Sequence, residues 1–120
     1  MARYVDGFVI PLPKKNVPAY KAIALKASRI WREYGALEYC ECVGEDLAVE
    51  MVMSFPRGLR LKRGETVVFA WVVYKSRKHR DAVMSKVMKD PRMDQMAKPG
   101  EMPFDMKRMM TGGFSVIVDA

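Results

Sequence analysis

The chain has 120 residues and a formal net charge of +7, and 50% of its residues are hydrophobic. This length indicates one domain, residues 1–120, and the apolar fraction excludes an intrinsically disordered protein. No apolar run reaches the roughly 18–20 residues that a membrane-spanning helix needs. Asp6 interrupts the first apolar stretch where a signal peptide would be hydrophobic, so we expect a cytoplasmic protein.

The first third of the chain predicts a strand followed by a long helix. Residues Tyr4–Ile10 are rich in aromatic and β-branched side chains, and Pro11 and Pro13 are expected to end that strand. Asn16 is a candidate N-cap for the helix, in which apolar residues recur every three or four positions. Gly35 is suited to ending the helix because glycine readily adopts a left-handed conformation.

The middle of the chain predicts two further strands. Residues Ala36–Val43 form the first of them, and Leu47–Phe55 are expected to continue as an extended, strand-like arm. The segment Thr66–Lys75 gives the strongest strand signal in the chain. Because its apolar residues fall on both faces, we expect a central strand that is covered on both sides.

The last part of the chain predicts a helix, a long loop and a strand. Ser76 is a candidate cap for the helix, which is expected to end at Asp90. Residues 91–112 are rich in methionine, glycine and proline and predict a loop with one helical turn at Met93–Ala97. A loop of this length over a cavity would act as a lid. Phe114–Val118 predict the last strand.

The order β-α-β-β-α-β predicts an α+β, ferredoxin-like fold, with the helices on one face of an antiparallel sheet. The other face of the sheet also needs a cover, because the predicted central strand is apolar on both sides. A second copy of the chain is the most economical cover. We therefore expect a homodimer, a dimeric α/β barrel in which two sheets meet face to face and enclose an interior.

Seven short sequences occur in order along nearly the whole chain: Tyr4–Val9, Gly35–Tyr39, Gly64–Phe69, Tyr74–Arg77, His79–Asp81, Met102–Asp105 and Gly112–Phe114. Together they resemble the YbaA-like family, a bacterial family of unknown function in the dimeric α/β barrel superfamily. The resemblance implies the barrel fold and dimerisation. The superfamily includes cofactor-independent monooxygenases, lactone isomerases, haem-degrading enzymes and sensor domains, so the fold alone does not choose a function.

Alternation along the first strand separates two sets of side chains. Val5, Gly7 and Val9 share one face, and Asp6 and Phe8 share the other. We expect the apolar set to lie beneath the helices, which would direct Asp6 and Phe8 into the dimer interior. A carboxylate in an apolar interior is a candidate general base, and a salt bridge is the alternative.

The other strands supply further candidates for an interior site. Phe69 and Trp71 would line the interior, either as the wall of a pocket for a planar ligand or as dimer-core packing. Glu38 and Glu41 have opposite parity on their strand, so only one of them can face a cavity. Glu41 is a candidate catalytic carboxylate, and which of the two glutamates faces inward is left open.

Basic residues are concentrated in the second half of the chain, where residues 57–120 hold fourteen basic and seven acidic groups. Several of them fall at the start of the second long helix, where free backbone N–H groups favour an anion. His79 lies in the same turn and is a candidate acid or base. The candidate ligand-binding residues of this half are Lys75, Arg77, Arg80, Asp105 and Arg108.

Three functions fit the sequence. The first is a homodimeric barrel that binds, and in one version transforms, a small planar or anionic molecule. The second is an RNA-binding module that uses the basic half, although the aromatic motif of such sheets is missing. The third is a ligand-free structural or regulatory dimer. Whether the protein is an enzyme is left open, and no metal or cofactor is expected from one histidine and two cysteines.

Overall fold

Four antiparallel strands form one sheet in the order β2-β3-β1-β4, in a computed structural model that describes residues 2–96, 98 and 100–120. The helices α1 and α3 pack on one side of this sheet. This arrangement is the expected α+β, ferredoxin-like fold. The strands are β1 (Tyr4–Pro13), β2 (Glu38–Val43), β3 (Glu65–Tyr74) and β4 (Met110–Ser115). The helices are α1 (Val17–Glu33), α2 (Phe55–Gly58), α3 (Arg77–Lys89) and α4 (Pro91–Met96), with short 3-10 turns at Lys14–Asn16 and Met106–Arg108.

Both long helices begin and end near the predicted positions. The Ser76 hydroxyl caps α3 by accepting a hydrogen bond from the backbone N–H of His79 at 3.1 Å. Asn16 precedes α1, but its side chain donates to the Pro103 carbonyl oxygen at 2.8 Å instead of capping the helix. Gly35 follows α1 with a φ of 109°, which only glycine adopts without strain. α4 takes the place of the expected turn at Met93–Ala97, of which Ala97 lies outside the described residues.

The first strand is longer than predicted, because β1 continues past Ile10 and through Pro11, which pairs with β3, and ends at Pro13. The predicted end at Ile10 is wrong. β4 pairs only with Tyr4–Val9, so one edge of β1 is unpaired beyond Val9. A residue without an N–H group is tolerated where that side of the strand has no partner.

The last strand also differs from the prediction, since β4 comprises Met110–Ser115 instead of Phe114–Val118. Gly112 and Gly113 therefore lie inside a strand, opposite Gly7 and Asp6 respectively. A Cβ atom at Gly113 would lie 2.7 Å from Cε2 of the Tyr4 ring. Glycine at position 113 therefore permits the Tyr4 side chain to lie close to the β4 backbone.

The connection between β2 and α2 lacks the strand-like arm expected over Leu47–Phe55. Residues 44–54, all of which the structure describes, contain no helix or strand, and Phe55 begins α2. The apolar side chains of Val49, Met51 and Val52 are exposed there. β2 itself begins at Glu38, two residues later than predicted.

The two faces of the sheet differ in what covers them. We call the side that α1 and α3 cover the helix face and the opposite side the open face. Val72 and Tyr74 of β3 are buried under α1 and α3 on the helix face. The open face presents Val5, Val9, Phe69, Trp71, Met110 and Phe114. No helix among the described residues is long and apolar enough to cross a membrane.

Candidate functional site

A cavity of about 350 Å³ lies between the helix face of the sheet and the helices. Its floor is formed by Phe8, Ile10, Ala70 and Val72, which lie on neighbouring strands β1 and β3. α1 supplies one wall through residues that include Tyr20, Ala24 and Trp31. The segment that follows α3, which we call the methionine-rich segment, covers the cavity. It contributes Met93, Met96, Met102, Phe104, Met106 and Met109 to the lining.

Glu41 is the one charged residue among the described residues that line this cavity. It lies on β2 opposite Ala70, so its side chain is on the helix face. One carboxylate oxygen accepts a hydrogen bond from the Tyr20 hydroxyl, and the other accepts one from the Tyr39 hydroxyl at 2.8 Å. The sequence left open which of Glu38 and Glu41 faces a cavity, and in the structure it is Glu41. Glu38 lies on the open face and accepts a hydrogen bond from the Trp71 indole N–H at 3.3 Å.

The two tyrosines act as donors to Glu41 at neutral pH. Burial, together with the adjacent Glu41 carboxylate, raises the pKa of Tyr20 well above its ordinary value. The pKa of Tyr39 is raised by the same causes. Both hydroxyls therefore keep their protons, and their hydrogen bonds to Glu41 fix the position of its carboxylate at the cavity wall.

Asp6 and Phe8 lie on the helix face, so the prediction that they point into a dimer interior is wrong. The Asp6 carboxylate is 6% exposed and accepts a hydrogen bond from the Arg80 guanidinium at 2.6 Å. The ion pair explains the orientation, because an arginine from α3 makes a carboxylate tolerable beneath a helix. Burial raises the pKa of Asp6, while the Arg80 charge acts in the opposite direction. The salt bridge considered as the alternative is present.

The basic turn before α3 does not form an anion site with converging side chains. Arg80 is bound to Asp6 and to Asp81, at 2.8 Å from the latter, and its guanidinium lies 4.9 Å from the centre of the Tyr4 ring. The Nδ1 atom of His79 accepts a hydrogen bond from the Lys75 backbone N–H at 2.9 Å. The side chains of Lys75 and Arg77 are exposed and do not line the cavity.

The remaining basic candidate, Arg108, lies at the other end of β3. Its guanidinium donates to Glu65 at 2.6 Å, and this partner lowers the pKa of the Glu65 carboxyl. The side chain of Asp105 accepts from the Lys107 backbone N–H at 3.0 Å and caps a 3-10 turn. Arg108 therefore ties the methionine-rich segment to β3, and neither Arg108 nor Asp105 lines the cavity.

Phe69 and Trp71 lie on the open face, as expected, with ring centres 5.8 Å apart. Phe8 is on the opposite side of the sheet, so the predicted aromatic wall made of all three residues does not exist. Among the described residues, no group of three or more histidine, cysteine, aspartate or glutamate side chains is placed to hold a metal ion.

Sequence reasoning missed the pairing of Tyr20 with Glu41 and the role of the methionines. One signal was present: Tyr20 carries a polar group on the otherwise apolar stripe of α1, and a buried tyrosine hydroxyl usually has a partner. The methionines between Met84 and Met109 gave no single periodic signal, because they are spread over α3, α4, a 3-10 turn and irregular chain.

Comparisons with known proteins show relatives that are similar in sequence and a solved structure that is similar in fold. A family model described as "Protein of unknown function (DUF1428)" matches residues 3–106. "Uncharacterized protein YbaA" from Escherichia coli (strain K12), and its counterpart in Shigella flexneri, are each 42% identical over 117 residues, covering 98% of this chain and 98% of theirs. A crystal structure of "a dimeric ferredoxin-like protein" from an uncultured marine organism is 11% identical, with a TM-score of 0.64 and coverage of 100% of both chains. At that identity, the similarity is one of fold.

Proposed function

The chain belongs to the DUF1428 family of proteins of unknown function, and we propose that it is a homodimeric protein that binds a small, largely apolar molecule. The ligand lies in the cavity beneath the methionine-rich segment, and Glu41 makes its polar contact. The observation that carries this proposal is a carboxylate, held by two tyrosine hydroxyls, on the wall of an apolar cavity.

The size and lining of the cavity support an apolar ligand over an anionic one. Its volume of about 350 Å³ is at the lower end of the range of about 300–1,000 Å³ that is typical of small-molecule sites. No lysine or arginine is among the described lining residues, and Glu41 would repel an anion. Flexible methionine side chains adapt to apolar ligands of different shapes.

The proposal concerns binding and not a reaction. Of the three candidate catalytic residues, Glu41 lines the cavity, whereas Asp6 is paired with Arg80 and His79 lies against Tyr74. Glu41 is therefore the residue through which any proton transfer to a bound molecule would pass.

The homodimer would form through the open face. Phe69 on β3 and Met110 and Phe114 on β4 are 48%, 56% and 61% exposed, respectively. Contiguous apolar patches of this kind mark interaction surfaces. The dimeric neighbour with the same fold supports a second copy as the occupant. The open-face strand positions among the described residues include Glu38 and no lysine or arginine, which disfavours RNA on this aromatic surface.

A neutral fluorescent probe, N-phenyl-1-naphthylamine, tests the cavity. We expect its fluorescence to rise on binding to the protein, and the variant Ala24→Phe to weaken binding by about tenfold or more, because the new ring fills the cavity from α1. Ala22→Phe is the matched control, since Ala22 is exposed on the same helix. Circular dichroism establishes that each variant is folded. Absence of binding to folded wild-type protein, or equal binding by both variants, would refute the proposal.

A further inference from the structure

We propose that the cavity selects an organic cation, an ammonium group on an apolar frame, over a neutral molecule of the same shape. This inference rests on the proposed function and names the ligand class of the same site. It follows from the charge of the cavity wall and from the rings around that charge.

The negative charge of Glu41 has no cationic partner among the described residues. Its two hydrogen-bond partners, Tyr20 and Tyr39, are neutral hydroxyl groups, and none of the ion pairs in the described part of the chain includes Glu41. In contrast, the buried Asp6 is paired with Arg80. A carboxylate in an apolar setting gains most from a counter-charge, and a cationic ligand would supply it.

Aromatic residues line the same cavity as this carboxylate. They are Tyr20 and Tyr39, which bind Glu41, and Trp31 and Phe104, which pack against them. The Trp31 and Tyr39 ring centres are 5.9 Å apart, and the Tyr20 and Phe104 ring centres are 5.7 Å apart. The face of an aromatic ring attracts an ammonium group, and several such rings form the cages that bind quaternary ammonium ligands.

The net charge of +7 does not contradict this preference. Arg80, Arg92 and Arg108 are each bound to a carboxylate. The other arginines of α1 and α3, which are Arg29, Arg32 and Arg77, are exposed and do not line the cavity. The charge of more distant basic residues is screened over about 8 Å at physiological ionic strength. A cation inside the cavity therefore responds mainly to Glu41 and to the rings.

The test compares two molecules of nearly equal shape, phenyltrimethylammonium and tert-butylbenzene, which differ in one central atom and its charge. Each is titrated against the bound N-phenyl-1-naphthylamine probe. We expect the cation to displace the probe from wild-type protein at a concentration about tenfold lower than its neutral counterpart. In Glu41→Gln the amide keeps one acceptor for a tyrosine hydroxyl and replaces the other acceptor with an N–H donor, while the charge is removed. The preference for the cation should therefore disappear.

Glu38→Gln is the matched control, because Glu38 lies on the same strand but on the open face. It should leave the preference for the cation unchanged. Equal displacement of the probe by both compounds in wild-type protein would overturn the inference while leaving the proposed function intact. A preference that persists in Glu41→Gln, or disappears in Glu38→Gln, would also overturn it. Failure of the probe itself to bind would instead refute the proposed function.

Discussion

Asp90 connects the end of α3 to the helix α4 and to α1. Its carboxylate accepts hydrogen bonds from the Arg92 guanidinium at 2.9 and 3.0 Å, from the Arg92 backbone N–H at 2.8 Å, and from the Tyr34 hydroxyl at 2.7 Å. The same arginine donates to Glu33 at 2.7 Å. These bonds fix the start of the methionine-rich segment against α1, at one side of the cavity.

We predict that this network makes stability depend on pH. The Arg92 guanidinium and the Tyr34 hydroxyl hold the pKa of Asp90 far below its ordinary value of about 3.9. Because the folded-state pKa is the lower one, ionised Asp90 stabilises the fold above the unfolded-state value, and this contribution is lost as the pH falls. Asp90→Asn should therefore melt a few degrees below wild type at neutral pH, with the difference shrinking in acid.

Thermal unfolding measured from neutral pH into the acid range checks this expectation. Asp94→Asn is the control, because Asp94 is exposed on α4 close to the network. Its effect on the melting temperature should be small at every pH. A difference between Asp90→Asn and wild type that stays constant down to the acid limit would show that the carboxylate charge is not the cause.

At the scale of elements, we expect Gly113 of β4 to matter more for the stability of the fold than Gly112 does. Gly113 lies on the helix face, where an added Cβ atom would overlap the Tyr4 ring. That ring is held in place by the Arg80 guanidinium above it. We expect Gly113→Ala to lower the free energy of unfolding by about 1–3 kcal/mol, because the ring and the guanidinium have to move.

Gly112→Ala is the matched variant on the same strand. Its Cβ atom would lie 3.7 Å from the Phe114 ring, an ordinary contact, so the free energy of unfolding should change by less than about 1 kcal/mol. Urea denaturation measures both variants. If the two alanines have equal effects, the close approach to Tyr4 is not what requires glycine at position 113.

The elements with strong periodicity could be predicted from the sequence, and those that depend on distant residues could not. The stripe of α1 and the apolar run of β3 are local signals, and both elements lie where they were expected. The two glycines of β4 precede the predicted last strand, and nothing local in the sequence indicates the close approach of Tyr4 to Gly113. The predicted orientation of the β1 side chains was wrong for a similar reason, because the partner of Asp6 is Arg80, which is 74 positions away.

At the scale of the whole molecule, the open face should control association. Wild-type protein is expected to have twice the chain mass of 13.7 kDa by light scattering after gel filtration. Phe114→Glu should yield monomer, because it places a charge among the exposed apolar side chains of the proposed interface. Leu25→Glu is the control, since Leu25 is an exposed apolar residue on α1, away from the open face. Monomeric wild-type protein would contradict the proposed dimer.

The candidate site could be predicted only in part at this scale. Glu41 was identified as a candidate from strand parity alone, but its partners come from α1 and from its own strand. The cavity cover comes from a segment without periodicity, whose position depends on distant contacts such as Asn16 with Pro103. The basic turn before α3 does not contribute to the cavity, because Arg80 is paired with Asp6 and the side chains of Lys75 and Arg77 are exposed. Sequence spacing does not reveal the pairing of Arg80 with Asp6.

Alternation along β3 places the residues for the two proposed functions, ligand binding and dimerisation, on opposite faces of the strand. Val68, Ala70 and Val72 face the helices, whereas Phe69 and Trp71 face the opposite side. Substitutions at even-numbered positions can therefore change the ligand that the cavity binds without altering the surface for the partner subunit, which the odd-numbered positions form. Ligand binding and dimerisation can thus evolve separately within one short strand. For the same reason the strand should not tolerate a single-residue insertion. The side chains after the insertion would move to the opposite face of the sheet, so that both ligand binding and dimerisation would be lost.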